Sequence, residues 1–132
     1  EHRAHRVLLI EDNDDVRHAL SSALAADGHE VCEAATAAIG IREAERFGAD
    51  VAIIDIRLPD RDGYQVAEAL RERTNLALIA LTGYGQPDSW RRAQDAGFDE
   101  FVTKPITPDR LARLMDVALA ARQRRAAHAS PR

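Results

Sequence analysis

The sequence predicts an α/β fold in which helices cover both faces of a parallel β-sheet. Short apolar runs alternate along the chain with segments whose apolar residues recur at helical spacing, and this pattern gives five strands and five helices. The apolar runs also lack the polar–apolar alternation of a strand with one solvated face, as residues 51–54 illustrate. Both faces of the sheet should therefore be covered by helices.

The strands are assigned from their apolar content and their shortness. Three of the five runs are wholly apolar, which is typical of strands buried on both faces, and the second run is the weakest assignment. In chain order, the predicted strands are residues 7–10, 30–34, 51–54, 76–81 and 98–102.

The predicted helices are bounded by residues suited to helix ends. The hydroxyl groups of Thr36 and Thr107 can accept backbone N–H groups at a helix N-terminus, and Pro108 suits a first helical position because it lacks an N–H. Gly28 and Gly48 lie just past helix ends, where glycine is favoured. The helices contain residues 16–27, 37–47, 63–73, 89–96 and 108–122.

Length and composition indicate one compact domain. The 132 residues are 45% hydrophobic and 30% charged, which is ordinary for a globular protein. We predict a domain over residues 6–122, an N-terminal extension over 1–5 and a frayed or disordered tail over 123–132. The chain starts at Glu1 without a methionine, which favours a processed or excised segment.

Charge and cysteine content exclude several classes of protein. The net charge of −4 argues against a nucleic-acid-binding module, whose affinity comes mainly from basic surface. Cys32 is the single cysteine, so an internal disulfide is excluded and a reducing location, the cytoplasm, is expected. Apolar runs are far shorter than the ~20 residues of a membrane span.

Polar side chains follow four of the five predicted strands. They are Glu11 and Asp12 after the first strand, Asp55 after the third, Thr82 after the fourth and Lys104 after the fifth. Ligands of parallel α/β sheets bind beyond the carboxyl ends of the strands, so this edge should carry the site. Clustered carboxylates repel unless a proton or cation is shared, and carboxylate oxygens with waters suit Mg²⁺.

Each signal also has a structural interpretation. The acidic residues Asp14 and Asp15 are best explained by helix capping and the helix dipole. Thr82 with its following glycine can be a plain turn. Lys104 can be a solvated side chain, although it is the only lysine among eighteen basic residues. The proline after it fits an unusual turn, including a cis peptide bond.

Together with Leu58-Pro59, Asp62-Gly63 and Ala96-Gly97, these residues resemble a response-regulator receiver domain over residues 6–122. The resemblance implies a flavodoxin-like, doubly wound fold with strand order 2-1-3-4-5. It implies that Asp55 accepts a phosphoryl group from a phosphohistidine on a histidine kinase or histidine phosphotransfer domain. It further implies that Lys104 and the hydroxyl of Thr82 bind the phosphoryl oxygens.

The resemblance also implies a cofactor and a conformational switch. Mg²⁺ would be held by Glu11, Asp12, Asp55 and the backbone carbonyl of Arg57. Phe101 occupies the switch position of the family, with ordinary half-buried packing as the alternative. The fourth helix, fifth strand and fifth helix would form the output face, including a possible homodimer interface. On that face, Trp90 is either a partner contact or packed against its own domain.

Several alternatives stay open at this stage. A haloacid-dehalogenase-like phosphatase would need an acid where Arg57 stands. A pseudo-receiver would keep the fold as a docking module without the phosphoryl chemistry. Arg57 and Tyr84 are predicted to tune the dephosphorylation rate. The segments around residues 81–87 and 96–99 resemble receivers at the C-terminus of hybrid histidine kinases, a phosphorelay arrangement.

Overall fold

Strands and helices alternate along the chain in the structure, a computed structural model that describes residues 4–83 and 90–129. The side chains of residues 128 and 129 lie outside this description. In chain order the elements are β1 (Arg6–Ile10), α1 (Asp14–Ala26), β2 (Glu30–Ala34), α2 (Ala37–Phe47), β3 (Val51–Asp55), α3 (Gly63–Arg73), β4 (Ala77–Thr82), α4 (Trp90–Ala96), β5 (Glu100–Thr103) and α5 (Pro108–Ala129).

The strands form one parallel sheet in the order β2-β1-β3-β4-β5. This confirms the α/β class, the doubly wound arrangement and the strand order that the resemblance implied. Because all five strands run in the same direction, their carboxyl ends share one edge of the sheet. The residues predicted to carry the chemistry follow those ends.

A separate apolar core covers each face of the sheet, as the unbroken apolar runs predicted. Leu8 and Ile54 face a core completed by α2, α3 and α4. Leu9 and Ile53 face the opposite core, which α1 and α5 complete. Successive strand residues alternate between the two cores, so strands such as β3 have no face left for water.

The helix ends agree with the predicted caps at two positions and differ at one. Thr36 accepts the backbone N–H of Ile39 at 3.2 Å, and Thr107 accepts that of Arg110 at 3.2 Å. Helix α1 is capped by Asn13, whose side chain accepts the N–H of Val16 at 2.9 Å, and not by Asp14 or Asp15. Those two acids lie in the first turn, where their charge favours the helix dipole.

Helix α5 continues through residues 123–129, where the sequence predicts a frayed or disordered tail. Arg125 holds this part of the helix, because its guanidinium donates to the carbonyl of Leu76 at 3.0 Å and also bonds Asp99. Arg122 adds a bond of 3.0 Å to the carbonyl of Asn75. Such long-range anchors leave no trace in local composition. The domain boundary at residue 122 and the frayed or disordered tail after it stay predictions.

The remaining differences concern strand boundaries. Strand β5 begins at Glu100 and not at Phe98, and β4 ends one residue later than predicted, at Thr82. The Lys104–Pro105 peptide bond is cis, as the unusual turn suggested. Within residues 4–83 and 90–129, none of the helices combines the length and apolar content needed to cross a bilayer.

Candidate functional site

Three carboxylates converge at the carboxyl edge of the sheet, as the strand-end pattern predicted. Glu11 and Asp12 follow β1, and Asp55 is the last residue of the neighbouring strand β3. One carboxylate oxygen from each residue lies within 4.8 Å of the others. Glu11 and Asp55 are buried, whereas Asp12 is exposed, so the cluster is open to solvent on the Asp12 side.

Lys104 reaches the two buried acids from the end of β5. Its ammonium Nζ lies 2.7 Å from Oε1 of Glu11 and 3.4 Å from Oδ2 of Asp55. The Glu11 side chain has 0% exposure and that of Asp55 has 5%. Buried carboxylates are unfavourable unless they are paired and hydrogen-bonded, and this lysine supplies the pairing.

The cluster shifts the pKa values of its members in different directions. Burial raises the pKa of Asp55 to about 7, and its hydrogen bond with Glu11 adds to the rise. Burial also opposes ionisation of Glu11, but hydrogen bonds with Lys104 and Asp55 outweigh it and lower the pKa of Glu11. Burial opposes the charge of Lys104, yet its contacts with Glu11 and Asp55 raise its pKa. Glu11 and Lys104 therefore form the ion pair, and Asp55 holds a proton most readily.

Backbone groups orient both buried carboxylates. Asp55 Oδ1 accepts the N–H of Arg57 at 3.0 Å, and Glu11 Oε2 accepts the N–H of Asn13 at 3.0 Å. The start of α3 closes against the end of β3, because the N–H of Gly63 donates to the carbonyl of Ile56 at 2.7 Å. A Cβ atom at Gly63 would lie 2.6 Å from the carbonyl oxygen of Asp55, so this contact requires glycine.

The donor set suits a hard divalent cation. Within the described part of the chain, three carboxylates share the site with one ammonium group, which leaves a surplus of negative charge. Oxygen ligands with room for water are what Mg²⁺ prefers. The backbone carbonyl of Arg57, the fourth predicted ligand, stays a prediction, since the structure defines the Arg57 N–H contact and not a role for its carbonyl.

Thr82 lies at the same edge, but its hydroxyl is engaged with β5. The side-chain oxygen is buried and lies 3.5 Å from the carbonyl oxygen of Val102 and 3.4 Å from the hydroxyl of Thr103. The Thr82 carbonyl accepts the N–H of Lys104 at 2.7 Å. The structure thus places Thr82 beside Lys104 without directing its hydroxyl at Asp55.

The two aromatic residues singled out on the predicted output face contact one another. The rings of Trp90 and Phe101 lie 6.1 Å apart with an interplanar angle of 51°. Trp90 is 39% exposed, and Phe101 is half-buried against the core that covers the α2–α4 face. The Trp90 side chain therefore packs against Phe101 on one side and remains partly exposed to solvent. Tyr84, predicted to tune the dephosphorylation rate, lies outside the described residues.

Two polar anchors of the site were missed by the sequence reasoning. The carboxylate of Asp60 accepts the N–H groups of Ala37 and Ala38, both at 2.9 Å, and so ties the loop after β3 to the start of α2. Arg17 donates to the carbonyl of Glu11 at 2.9 Å. The only sequence signal for Arg17 is its position three residues after Asp14, with which it pairs.

Residues 7–116 match the model of a protein family described as "Response regulator receiver domain". The KDP operon transcriptional regulatory protein KdpE of Escherichia coli is 35% identical over 113 residues, which cover 86% of this chain and 50% of that protein. The transcriptional regulatory protein KdpE of Mycobacterium tuberculosis is 38% identical over 109 residues, covering 82% of this chain and 48% of that protein. The chain spans about half the length of these curated relatives.

Solved structures of similar proteins superimpose on this chain over most of its length. A response regulator receiver domain protein (CheY-like) from Methanospirillum hungatei superimposes with a TM-score of 0.83 at 28% identity, covering 93% of this chain and 99% of that one. A response regulator receiver domain protein from Clostridium thermocellum gives a TM-score of 0.80 at 27% identity, covering 90% and 97%.

Proposed function

The chain belongs to the response regulator receiver domain family, and from this premise we propose that it receives a phosphoryl group on Asp55. The observation that carries the proposal is the position of the Asp55 carboxylate. It is buried at the end of a central strand, beside the ammonium of Lys104 and within reach of the Glu11 and Asp12 carboxylates. Phosphoryl transfer depends mostly on positioning and charge neutralisation, and this site supplies both.

In the proposed reaction, an oxygen of Asp55 attacks the phosphorus of a phosphohistidine. The bond from phosphorus to the histidine nitrogen breaks as the acyl phosphate forms. Glu11, Asp12, Asp55 and the carbonyl of Arg57 would hold Mg²⁺, which when bound neutralises charge on the phosphoryl oxygens. Lys104 adds a second positive charge, because its Nζ is 3.4 Å from the carboxylate that becomes phosphorylated.

Thr82 is proposed to turn its hydroxyl from β5 toward the phosphoryl oxygens. Its contacts of 3.4 and 3.5 Å to Thr103 and Val102 are long for hydrogen bonds between oxygen atoms. Breaking them therefore costs little free energy. Arg57 is exposed beside Asp55, where we propose that it limits the approach of water and so tunes dephosphorylation, as proposed for Tyr84.

We propose that the phosphodonor, a histidine kinase or a histidine phosphotransfer domain, docks on a groove that adjoins Lys104. The groove has a volume of about 530 Å³ and lies between α1 and the segment after β5. Its apolar lining includes Val16, Leu20 and Ile106. A helix carrying the phosphohistidine could bury apolar side chains there while its imidazole faces Asp55. The unpaired Cys32 supports a cytoplasmic setting for this exchange.

Intact-mass spectrometry after incubation with phosphoramidate tests the proposed function. The chain should gain one phosphoryl group with Mg²⁺ and none with a chelator. Asp55→Asn should gain none. Asp116→Asn is the matched control, because that aspartate is exposed on α5 and is not one of the three carboxylates of the cluster. A folded wild-type chain that stays unmodified with phosphoramidate and with a histidine kinase would favour a pseudo-receiver that acts only as a docking module.

The output face is proposed to change through Phe101. As Thr82 moves toward the phosphoryl group, space opens behind it and the ring of Phe101 turns inward, which alters the surface formed by α4, β5 and α5. That surface is the proposed homodimer or partner interface. Trp90 contacts Phe101 and is the single tryptophan, so its fluorescence should change on addition of beryllofluoride with Mg²⁺ and stay constant in Phe101→Leu.

Two observations point to different kinds of protein that would contain this receiver. Motifs around residues 81–87 and 96–99 favour a hybrid histidine kinase acting in a phosphorelay, whereas the curated relatives are named transcriptional regulatory proteins. A kinase core encoded upstream would support the hybrid kinase. A DNA-binding domain encoded downstream would refute it.

A further inference from the structure

The guanidinium of Arg17 connects three parts of the chain beneath the carboxylate cluster. It donates through Nη1 to the backbone carbonyl of Glu11 at 2.9 Å, through Nη2 to Asp14 at 2.7 Å and through Nε to Glu33 at 3.1 Å. Its side chain is only 11% exposed. The end of β1, the first turn of α1 and strand β2 are thereby joined through one planar group.

The bond to the Glu11 carbonyl fixes the main chain from which two proposed metal ligands project. The Glu11 carboxylate is already held by Lys104 at 2.7 Å and by the N–H of Asn13 at 3.0 Å. Asp12 is exposed, so the direction of its side chain depends on the backbone on either side of it. Arg17 donates to the carbonyl of the peptide between Glu11 and Asp12, and Asn13 caps α1 immediately afterwards.

The charge of Arg17 is matched by its own partners. Asp14 and Glu33 lie at 2.7 and 3.1 Å from its nitrogen atoms, so the guanidinium adds little net positive potential to the cluster. Asp14 pairing raises the pKa of Arg17, which stays charged. The contribution of Arg17 to the site is therefore geometric and not electrostatic.

We propose that Arg17 is a positioning residue for the divalent-cation site. It holds the Glu11–Asp12 backbone so that both carboxylates point toward Asp55. The proposal rests on the Mg²⁺ binding proposed above and assigns a role to a residue outside the ligand set. Partners that orient metal ligands typically account for 10- to 100-fold in metal affinity, because a binding site needs its ligands held within about 0.5 Å.

Arg125 provides a matched control at the opposite edge of the sheet. It also donates to a backbone carbonyl, that of Leu76 at 3.0 Å, and also pairs with a carboxylate, that of Asp99. Its side chain is 32% exposed. Arg125→Ala should therefore lower thermal stability in the same manner as Arg17→Ala while leaving the proposed ligands in place.

Isothermal titration with Mg²⁺ alone, without a phosphodonor, tests the proposal. Arg17→Ala should weaken Mg²⁺ binding by about 10-fold or more, and Arg125→Ala should change it by less than about twofold. Arg17→Lys, which keeps the charge but not the planar fork, should fall between the wild type and Arg17→Ala. Circular dichroism checks that each variant is folded, and Arg17→Lys carries the test if Arg17→Ala is not.

The outcomes separate this proposal from the proposed function. Wild-type affinity in Arg17→Ala, or in Arg17→Lys if only that variant folds, would overturn the positioning role and leave the receiver function intact. Equal weakening by Arg125→Ala would overturn it as well, because general destabilisation would then explain the loss. A wild-type chain that binds no Mg²⁺ would overturn both proposals.

Discussion

The two edges of the sheet both bury charged side chains, but they balance the charges in opposite ways. At the carboxyl edge, the carboxylates of Glu11, Asp12 and Asp55 are accompanied by the ammonium of Lys104. At the amino edge, the 7% exposed carboxylate of Asp99 pairs with two guanidinium groups, Arg71 at 3.5 Å and Arg125.

The amino edge satisfies its groups internally. Arg71 donates to the carbonyls of Leu76 at 2.9 Å and Gly97 at 2.7 Å, and Arg125 donates to the same Leu76 carbonyl at 3.0 Å. Asp99 accepts the N–H of Leu78 at 2.9 Å. Guanidinium N–H groups that do not bond Asp99 donate to backbone carbonyls. The network therefore joins α3, α5 and the start of β4.

Among the residues that the structure describes, the carboxyl edge keeps a surplus of negative charge, because three carboxylates share it with one ammonium group. Burial is the main cause of the raised pKa of Asp55, about 7, and the neighbouring Glu11 carboxylate adds to the rise. A charge surplus opposes folding but favours binding of a cation. The comparison indicates that the fully paired carboxylate at the amino edge stabilises the fold. We propose that the excess negative charge at the carboxyl edge serves cation binding.

The largest expected effect comes from breaking the balanced edge. Asp99→Asn should lower the free energy of unfolding by about 3 kcal/mol, because Arg71 and Arg125 lose their common counter-ion. Chemical denaturation followed by circular dichroism measures this value. A loss below ~0.5 kcal/mol would show that the network at this edge does not stabilise the fold.

An aspartate-to-asparagine substitution at the carboxyl edge should change the free energy of unfolding in the opposite direction. Without metal at pH 7.5, Asp55→Asn should raise the free energy of unfolding, because it removes a buried carboxylate whose ionised form is unfavourable. We expect about 2 kcal/mol, roughly half of what the full rise in the pKa of Asp55 corresponds to, because the amide lacks the second acceptor oxygen that faces Lys104. Denaturation in chelator compares the two chains. A destabilised Asp55→Asn would contradict the view that this edge carries excess charge.

Magnesium should narrow the stability difference between the wild type and Asp55→Asn. At a free Mg²⁺ concentration ten times the dissociation constant, linkage predicts about 1.4 kcal/mol of added stability for the wild type. Asp55→Asn should gain less, because one of three carboxylates is lost. Asp99→Asn should gain as much as the wild type, and thermal melts with and without Mg²⁺ give the comparison. Equal gains in all three chains would argue against an ion held by Asp55.

The smallest expected effect per step of the experiment is a pH dependence of the free energy of unfolding, which stays below about 1.4 kcal/mol per pH unit for one proton. The pKa of Asp55 is about 7 in the folded chain, against 3.8 ordinarily. Between pH 4 and 7, Asp55 is ionised in the unfolded chain but still protonated in the folded chain. The contribution of Asp55 therefore opposes folding more strongly as the pH rises, and above pH 7 this contribution is constant.

The stability gained in metal-free Asp55→Asn should therefore be absent near pH 4 and grow until about pH 7. Denaturation of both chains at several pH values measures the difference in the free energy of unfolding. Titrating groups that do not contact Asp55 affect both chains alike and cancel from this difference. A difference that is independent of pH would exclude Asp55 as its source.

Much of the site followed from sequence because parallel strands bring their ends together. Once residues 7–10 and 51–54 were assigned as strands, Glu11 and Asp55 were placed at one edge, and the structure confirms their proximity. The orientation of the Thr82 hydroxyl toward β5 was not predictable, because a side-chain rotamer depends on neighbours such as Thr103 across the sheet.

Local sequence patterns were enough to predict the alternation of elements, the two-sided burial and the residue types at each strand end, since periodicity and capping are local properties. Which charged side chains meet depends on the three-dimensional fold. Arg17 reaches Glu33 on β2, Lys104 reaches Glu11 across 93 positions, and Arg125 extends α5 to Ala129 by bonding Asp99. Such pairs depend on strand order and on how helices pack on the sheet, because long side chains select partners by distance in space.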